Sequence, residues 1–293
     1  MNRRLTAATT PAAGRRHPRH GERISLRLWG VRGSLPTPGP ATVRYGGDTI
    51  CFELIVGGNR VVVDCGSGGR ALGRALMAEG PLDFDILFTH SHLDHVCGLP
   101  FFKPAYHGGS HVRLWAGHLK DANAHREAIE RLMSPPLFPV KPTALTGCRF
   151  RQFHAGETIV LPCGLAVDTI ALNHPGGSTG YRFSHDGAVV CVITDHEHGV
   201  PEIDAAVTDF VRGADVMLYD AAYTDADYGH YRGWGHSTWE EGISLATRAG
   251  VRLPVMIHHD IYRTDEALDE IQAAAQRLMP GVVAGFDGML IKI

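Results

Sequence analysis

The sequence predicts an α+β fold in which two packed β-sheets carry helices on their outer faces. Three observations lead there. Short β-rich runs bounded by turn signals occupy two separate stretches of the chain, and each stretch is followed by segments with helical spacing. No repeat, low-complexity block or long linker divides them, so residues 23–293 are expected to form a single domain. A chain of 293 residues that is 44% hydrophobic and 20% charged has ample material for such a core.

The elements follow in order. Residues 24–31 read as a strand. Residues 50–56 and 60–64 flank Gly57-Gly58-Asn59, a hairpin signature whose glycines supply positive φ. Residues 69–79 have helical spacing, with Leu72, Ala75 and Leu76 on one face. Residues 85–89 form an apolar strand running directly into a histidine cluster. A charged helix is expected over 118–133 and a proline-rich loop over 134–142. A second set of strands covers 149–154, 165–172, 179–184 and 188–194, the last pair turned by His185-Asp186-Gly187. Helices at 201–212, 238–249 and 265–279 then alternate with strands at 216–219, 255–257 and 289–291.

Composition excludes several classes. A net charge of -3 provides no general attraction for nucleic acid or anionic lipid. No run of about 18 apolar residues is present, so no transmembrane helix is expected and a cytoplasmic location follows. The six cysteines are scattered without a CxxC pair, which suits free, mostly buried thiols in a reducing compartment. Residues 1–22 carry five arginines among Pro and Ala, and residues 5–10 are too short and polar for a signal h-region; a disordered basic tail is expected.

The chemistry is concentrated in His90-Ser91-His92-Leu93-Asp94-His95. His90 and His92 are two apart at a strand end, so period-2 geometry points both side chains the same way. Asp94 and His95 follow where the chain turns, and can face a point a few ångströms away. Imidazole nitrogen and carboxylate oxygen are donors that zinc, iron and manganese accept. One short segment can therefore serve two neighbouring ions.

This segment resembles the signature of the metallo-β-lactamase fold hydrolases, and further matches follow in order over residues 24–293. Asp64-Cys65-Gly66 resembles the first motif, Asn173-His174-Pro175 the third-motif histidine, Ile193-Thr194-Asp195 the aspartate that bridges two metals, and Ile257-His258 the last ligand. The resemblance implies a four-layer αββα sandwich. It also implies one ion held by His90, His92 and His174 and a second by Asp94, His95 and His258, with Asp195 between them. Asp64 is expected to support a histidine rather than bind metal. Strand alternation lets only one of His258 and His259 face the site, and His258 is preferred. Zinc suits the mixed nitrogen and oxygen set, with manganese and iron left open.

Among the branches of this superfamily, the sequence is similar to the phosphodiesterase and ribonuclease Z-like one. Asp195, where the lactam-cleaving branch has cysteine, and Gly235-His236-Ser237-Thr238 carry that similarity. The resemblance implies catalytic roles for His236, at the leaving oxygen, and for Asp94, with hydroxide between the metals attacking phosphorus. Ser237 and Glu240 read instead as a capping box for the next helix. Tyr223, Tyr231 and Trp234 either stack a base or pack their own loop down. Residues 29–34 and 46–49 either shape a phosphate pocket, where glycine permits close backbone approach, or serve only as turns between strands.

The leading expectation is a dinuclear phosphodiesterase acting on a small phosphodiester such as a cyclic nucleotide. A tRNA 3′-end endonuclease is its main competitor; such enzymes carry a protruding basic arm for which only 118–142 is a candidate, and its mixed charges argue against nucleic acid as the favoured partner. A carboxylic ester or lactone hydrolase and a non-catalytic metal-binding regulator also compete. No membrane partner is expected, and a homodimer is left open.

Overall fold

Residues 23–293 are described by a computed structural model, in which two seven-stranded sheets pack face to face. The expected basic tail, residues 1–22, lies outside the described residues.

The first sheet is built from β1 (Ile24–Gly30), β2 (Cys51–Val56), β3 (Asn59–Val63), β4 (Asp83–Phe88), β5 (His111–Ala116) and β6 (Cys148–Gln152), side by side in that order. The second comprises β7 (Thr158–Val160), β8 (Ala166–Leu172), β9 (Ser178–His185), β10 (Ala188–Ile193), β11 (Val216–Asp220), β12 (Leu253–Ile257) and β13 (Val283–Ala284). The last strand, β14 (Leu290–Lys292), returns to the first sheet beside β1. Strand alternation explains the packing. In β1 the side chains of Ile24, Leu26 and Leu28 are buried while those between them are part-exposed. These residues join Phe52, Leu54, Val61 and Val63 against Tyr181, Phe183, Val190, Val192, Leu218 and Val255 of the second sheet. Burying each such side chain contributes roughly 1.5–3 kcal/mol.

Helices cover the outer faces. On the first sheet lie α1 (Gly68–Leu76), the four-residue α2 (Leu93–Val96) and α3 (Ala122–Leu132). On the second lie α4 (Pro201–Phe210), α6 (Trp239–Ala249) and α7 (Asp265–Leu278), while α5 (Asp225–Tyr231) is a short helix with no buried residue. The four-layer αββα sandwich is thus the observed architecture.

Several local expectations are corrected. The helix expected over 118–133 begins only at Ala122, because the Asp121 carboxylate caps it by accepting from Asn123 N and Ala124 N. The helix α6 is capped by Thr238, which accepts from Glu241 N, and not by Ser237. Ser237 turns inward instead: its hydroxyl donates to His196 O and accepts from His198 N. Strands β5, β7 and β13 and helix α5 have no counterpart among the elements expected from sequence.

What matters for function is where strands end. β3, β4, β5 and β6 are mutually parallel, as are β10, β11, β12 and β13. The loops leaving the carboxyl ends of β3, β4, β10, β11 and β12 carry Asp64, the histidine segment, Asp195, the turn after Asp220, and His258.

Candidate metal centre

Of the five non-glycine residues with positive φ among the described residues, four belong to this region: Ser34, Asp64, Asp195 and His258. Each has positive φ; Asp64 and His258 directly follow a strand, and Asp195 comes two residues after one. Such backbone is unfavourable for residues with a side chain and persists where surrounding contacts enforce it. Here it aims polar side chains back over the strand ends.

Beyond β4, Thr89 and His90 leave the strand, His92 stands at the N-cap of α2, and Asp94 and His95 fall within that helix. His174 follows β8 and Asp195 follows β10. The donor atoms of His90, His92 and His174 lie within 4.8 Å of one another, as do those of Asp94, His95, Asp195 and His258. His174 Nε2 is 3.0 Å from His92 Nδ1. Asp195 stands between the two groupings. Its Oδ2 is 3.2 Å from His95 Nε2, and its Oδ1 is 3.2 Å from His258 Nε2, 3.7 Å from His90 Nε2 and 3.9 Å from His174 Nε2. Asp94 Oδ2 lies 3.3 Å from both His95 Nε2 and His258 Nε2.

The residues present fit divalent cations. His90 Nε2, His95 Nε2 and His258 Nε2 are buried with no hydrogen-bond partner among the described residues, an arrangement costly for apolar surroundings and expected of nitrogens that donate to metal. The buried carboxylates set the field inside the cluster. Burial works against a charge on His95, yet Asp195, Asp94 and Asp64 push its pKa well above the ordinary imidazole range. Burial also opposes the Asp195 charge, but His258, His95 and His90 hold that carboxyl well below its usual range. His90, where burial outweighs its neighbours, is pushed down.

A supporting layer fixes these groups. Asp64 is fully buried and accepts from Thr89 N, Thr89 Oγ1 and His95 Nδ1, each at 2.8 Å, so the His95 ring is held by its far nitrogen. His174 Nδ1 bonds Gly235 O at 2.8 Å. Ser34 N donates to Asp94 Oδ2 at 2.7 Å, and a Cβ added at Gly33 would stand 2.2 Å from the His258 ring. The turn over 29–34 therefore abuts the site, whereas Gly46 packs on Asp287 and Gly47 on Thr37. His258 points into the cluster, while its neighbour His259 is buried away from it, with Nε2 2.9 Å from Gly285 O.

His236 lies beside the two groupings, stacked on His258 with centroids 4.5 Å apart. Its Nδ1 is 2.8 Å from Asp220 Oδ2 and 3.8 Å from Asp195 Oδ1. Asp220 is a site residue that the sequence reading misses. Its carboxylate also accepts from Asp195 N and Ala222 N, which ties His236 to the turn that presents Asp195. Glu197 is missed as well. It is buried and accepts from Gly233 N and Gly235 N. Two neighbouring histidines stand outside the donor groupings: His196 is buried with Nδ1 accepting from Asn173 N, and His198 stacks on Tyr228.

This sandwich is that of the metallo-β-lactamase fold, a class of metal-dependent hydrolases. The chain belongs to the beta-lactamase superfamily, whose domain model matches residues 59–259. Curated relatives include a ribonuclease Z of Bradyrhizobium sp., 28% identical over 80% of this chain and 91% of the relative, and a ribonuclease Z of Gemmatimonas aurantiaca, 25% identical over 92% and 96%. Among solved structures, the metallo-β-lactamase fold protein YhfI of Bacillus subtilis superposes with a TM-score of 0.70 at 18% identity, covering 93% of this chain and 100% of that one. Human tRNase Z, short form, superposes with a TM-score of 0.62 at 18% identity, covering 91% and 98%. A diphosphatase from the PhnP family gives 0.68 at 20% identity, covering 92% and 98%. These structural likenesses establish the fold. No helix among the described residues is long and apolar enough to cross a membrane.

Proposed function

We propose that the chain hydrolyses phosphodiester bonds in RNA, cleaving at the 3′ end of tRNA precursors. The observation that carries the hydrolytic reading is the convergence of unpartnered imidazole nitrogens and two buried carboxylates beside the His236–Asp220 pair. The RNA substrate rests on the ribonuclease Z relatives, which favour this reading over the cyclic-nucleotide one that leads from sequence alone.

His90, His92 and His174 would hold one cation and Asp94, His95 and His258 the other, with Asp195 shared; zinc suits this donor set, and manganese or iron is also accommodated. Bound there, two divalent cations lower the pKa of a water and polarise a phosphoryl oxygen. The chain's own groups do the rest. Ser34 N keeps the Asp94 carboxylate turned to the cluster, where it accepts a proton from water. Asp220 fixes the His236 ring through Nδ1, so that the opposite nitrogen can deliver a proton to the departing oxygen.

One observation favours a second reading, a small phosphodiester or diphosphate substrate. Within the candidate arm, 118–142, α3 packs against β6 and the first sheet, burying Ile129 and Met133. A substrate panel separates the two. Purified protein of known metal content is incubated with a 3′-extended tRNA precursor, a cyclic nucleotide, bis(p-nitrophenyl) phosphate and p-nitrophenyl acetate. Cleavage of the precursor at its 3′ boundary supports the RNA reading, cleavage of the small diesters alone supports the second, and turnover of the acetate alone overturns both.

A further inference from the structure

Trp234 has 62% of its surface exposed, one residue before the carbonyl that bonds His174 and two before His236. A large indole left in water at the edge of a polar site calls for a reason, and flexibility is not one, because its backbone is clamped. The buried Glu197 carboxylate accepts from Gly233 N at 2.7 and 2.9 Å and from Gly235 N at 2.7 Å, gripping both neighbours of Trp234. Tyr228 OH donates to the same carboxylate at 3.3 Å. Both glycines have φ near +90°, a backbone conformation open to glycine and unfavourable for residues with a side chain.

The indole is also braced from the side. It meets Tyr231 edge-on at 5.4 Å; Tyr231 stacks on Tyr223 at 4.4 Å and 5°; Tyr223 meets His236 edge-on at 5.9 Å. Tyr223 is buried and Tyr231 half-buried, so those two pack the loop, and only Trp234 remains for another molecule. The row of rings thus runs from His236 through two tyrosines to an indole in solvent.

We infer that Trp234 is a stacking platform for a nucleobase of the nucleotide next to the scissile phosphate. A planar aromatic ring is the partner that an exposed, rigidly displayed indole selects, and stacking accepts any base because every base has a π-face. The inference rests on the phosphodiesterase reading for its ligand, and makes that ligand a base-bearing one, whether the end of an RNA or a single nucleotide.

Two measurements test it. The first needs no turnover: intrinsic tryptophan fluorescence is titrated with adenosine 5′-monophosphate and with ribose 5-phosphate. Quenching by the base-bearing ligand at concentrations where ribose 5-phosphate has no effect is expected in the wild type; for the variants, which lack this reporter, isothermal titration calorimetry should show affinity weakened about 5- to 100-fold in W234L and partly retained in W234F. Equal binding of both ligands by the wild type, or an unchanged affinity in W234L, overturns the platform. The second compares thymidine 5′-(p-nitrophenyl phosphate) with methyl p-nitrophenyl phosphate, which differ by the nucleoside and share a leaving group. W234L is expected to lower the ratio of their kcat/KM values by a similar factor, mainly through KM. An unchanged ratio refutes the platform while leaving the phosphodiesterase reading intact; a wild type that hydrolyses neither refutes that reading instead.

Discussion

Replacing Asp220 probes the link between fold and chemistry, because one carboxylate serves three donors. In Asp220→Ala, His236 Nδ1 can turn to water, but Asp195 N and Ala222 N stay in a buried turn without an acceptor. An unpaired buried N–H costs about 1–3 kcal/mol, so the two together cost about 2–6 kcal/mol. At about 2 °C per kcal/mol for a chain of this size, Tm falls by roughly 4–12 °C. Asp220→Asn keeps one acceptor. Its amide oxygen can still serve Ala222 N, while its NH2, turned towards His236, favours the opposite tautomer and leaves Asp195 N unpaired. Stability then falls by about 1–3 kcal/mol, half the loss of the alanine variant, and kcat falls by up to about 10⁴-fold, as when an orienting carboxylate beside a catalytic imidazole is replaced by its amide. Thermal unfolding and steady-state hydrolysis of a chromogenic phosphodiester read the two effects separately. If Asp220→Asn keeps wild-type kcat while His236→Ala loses it, the claim that Asp220 orients His236 is wrong.

Three further outcomes are expected. Gly235→Ala places a Cβ 2.2 Å from His174 Nδ1 at a φ of +90°, so it should lower activity at least about tenfold and weaken metal retention, as read by kinetics and metal analysis. Burial, aided by the Asp48 carboxylate, pushes Asp287 up to about 7 against the pull of Arg32. The folded chain then binds more protons than the unfolded one from the ordinary 3.8 up to that value, and stability declines as pH climbs through the window. Asp287→Asn should flatten the slope of Tm against pH between about 4 and 7; an unchanged slope would contradict this. Finally, chelation should lower Tm by several degrees and zinc should restore it, since Asp94 and Asp195 lose their counter-charge; a site saturated a thousandfold above Kd contributes about 4 kcal/mol.

The sequence reveals the fold wherever burial leaves a pattern. β1 alternates and β10 is continuously apolar, and both are legible. β5 is hidden because Arg113 interrupts it, and only the structure shows that guanidinium paired with Asp85 on the neighbouring strand. α5 is seven residues long with a glycine and no buried face, so it leaves no periodic trace. The cap of α6 is ambiguous for a chemical reason: Ser237 and Thr238 each precede a glutamate by three residues, and tertiary contacts to His196, His198 and Tyr219 claim the serine.

The candidate site divides in the same way. The donor residues are legible because their types and order carry the chemistry. Asp220 carries the same signal as Asp195, a carboxylate ending an apolar strand, and attention to that signal would have found it. Glu197 and Ser34 leave no such mark. Each acts through backbone N–H groups or as one, and that depends on loops meeting from distant parts of the chain. The proposed base-stacking role is fainter still in sequence, since it rests on an exposed tryptophan whose setting emerges only when Glu197 is seen holding the glycines on either side.

The central claim is tested most directly by counting metal ions. Protein purified without added chelator and measured by inductively coupled plasma mass spectrometry should carry about two divalent ions per chain, Asp195→Ala should carry about one or none, and phosphodiesterase activity should follow the count. A metal-free preparation that is folded and hydrolyses phosphodiesters at the full rate would contradict the account.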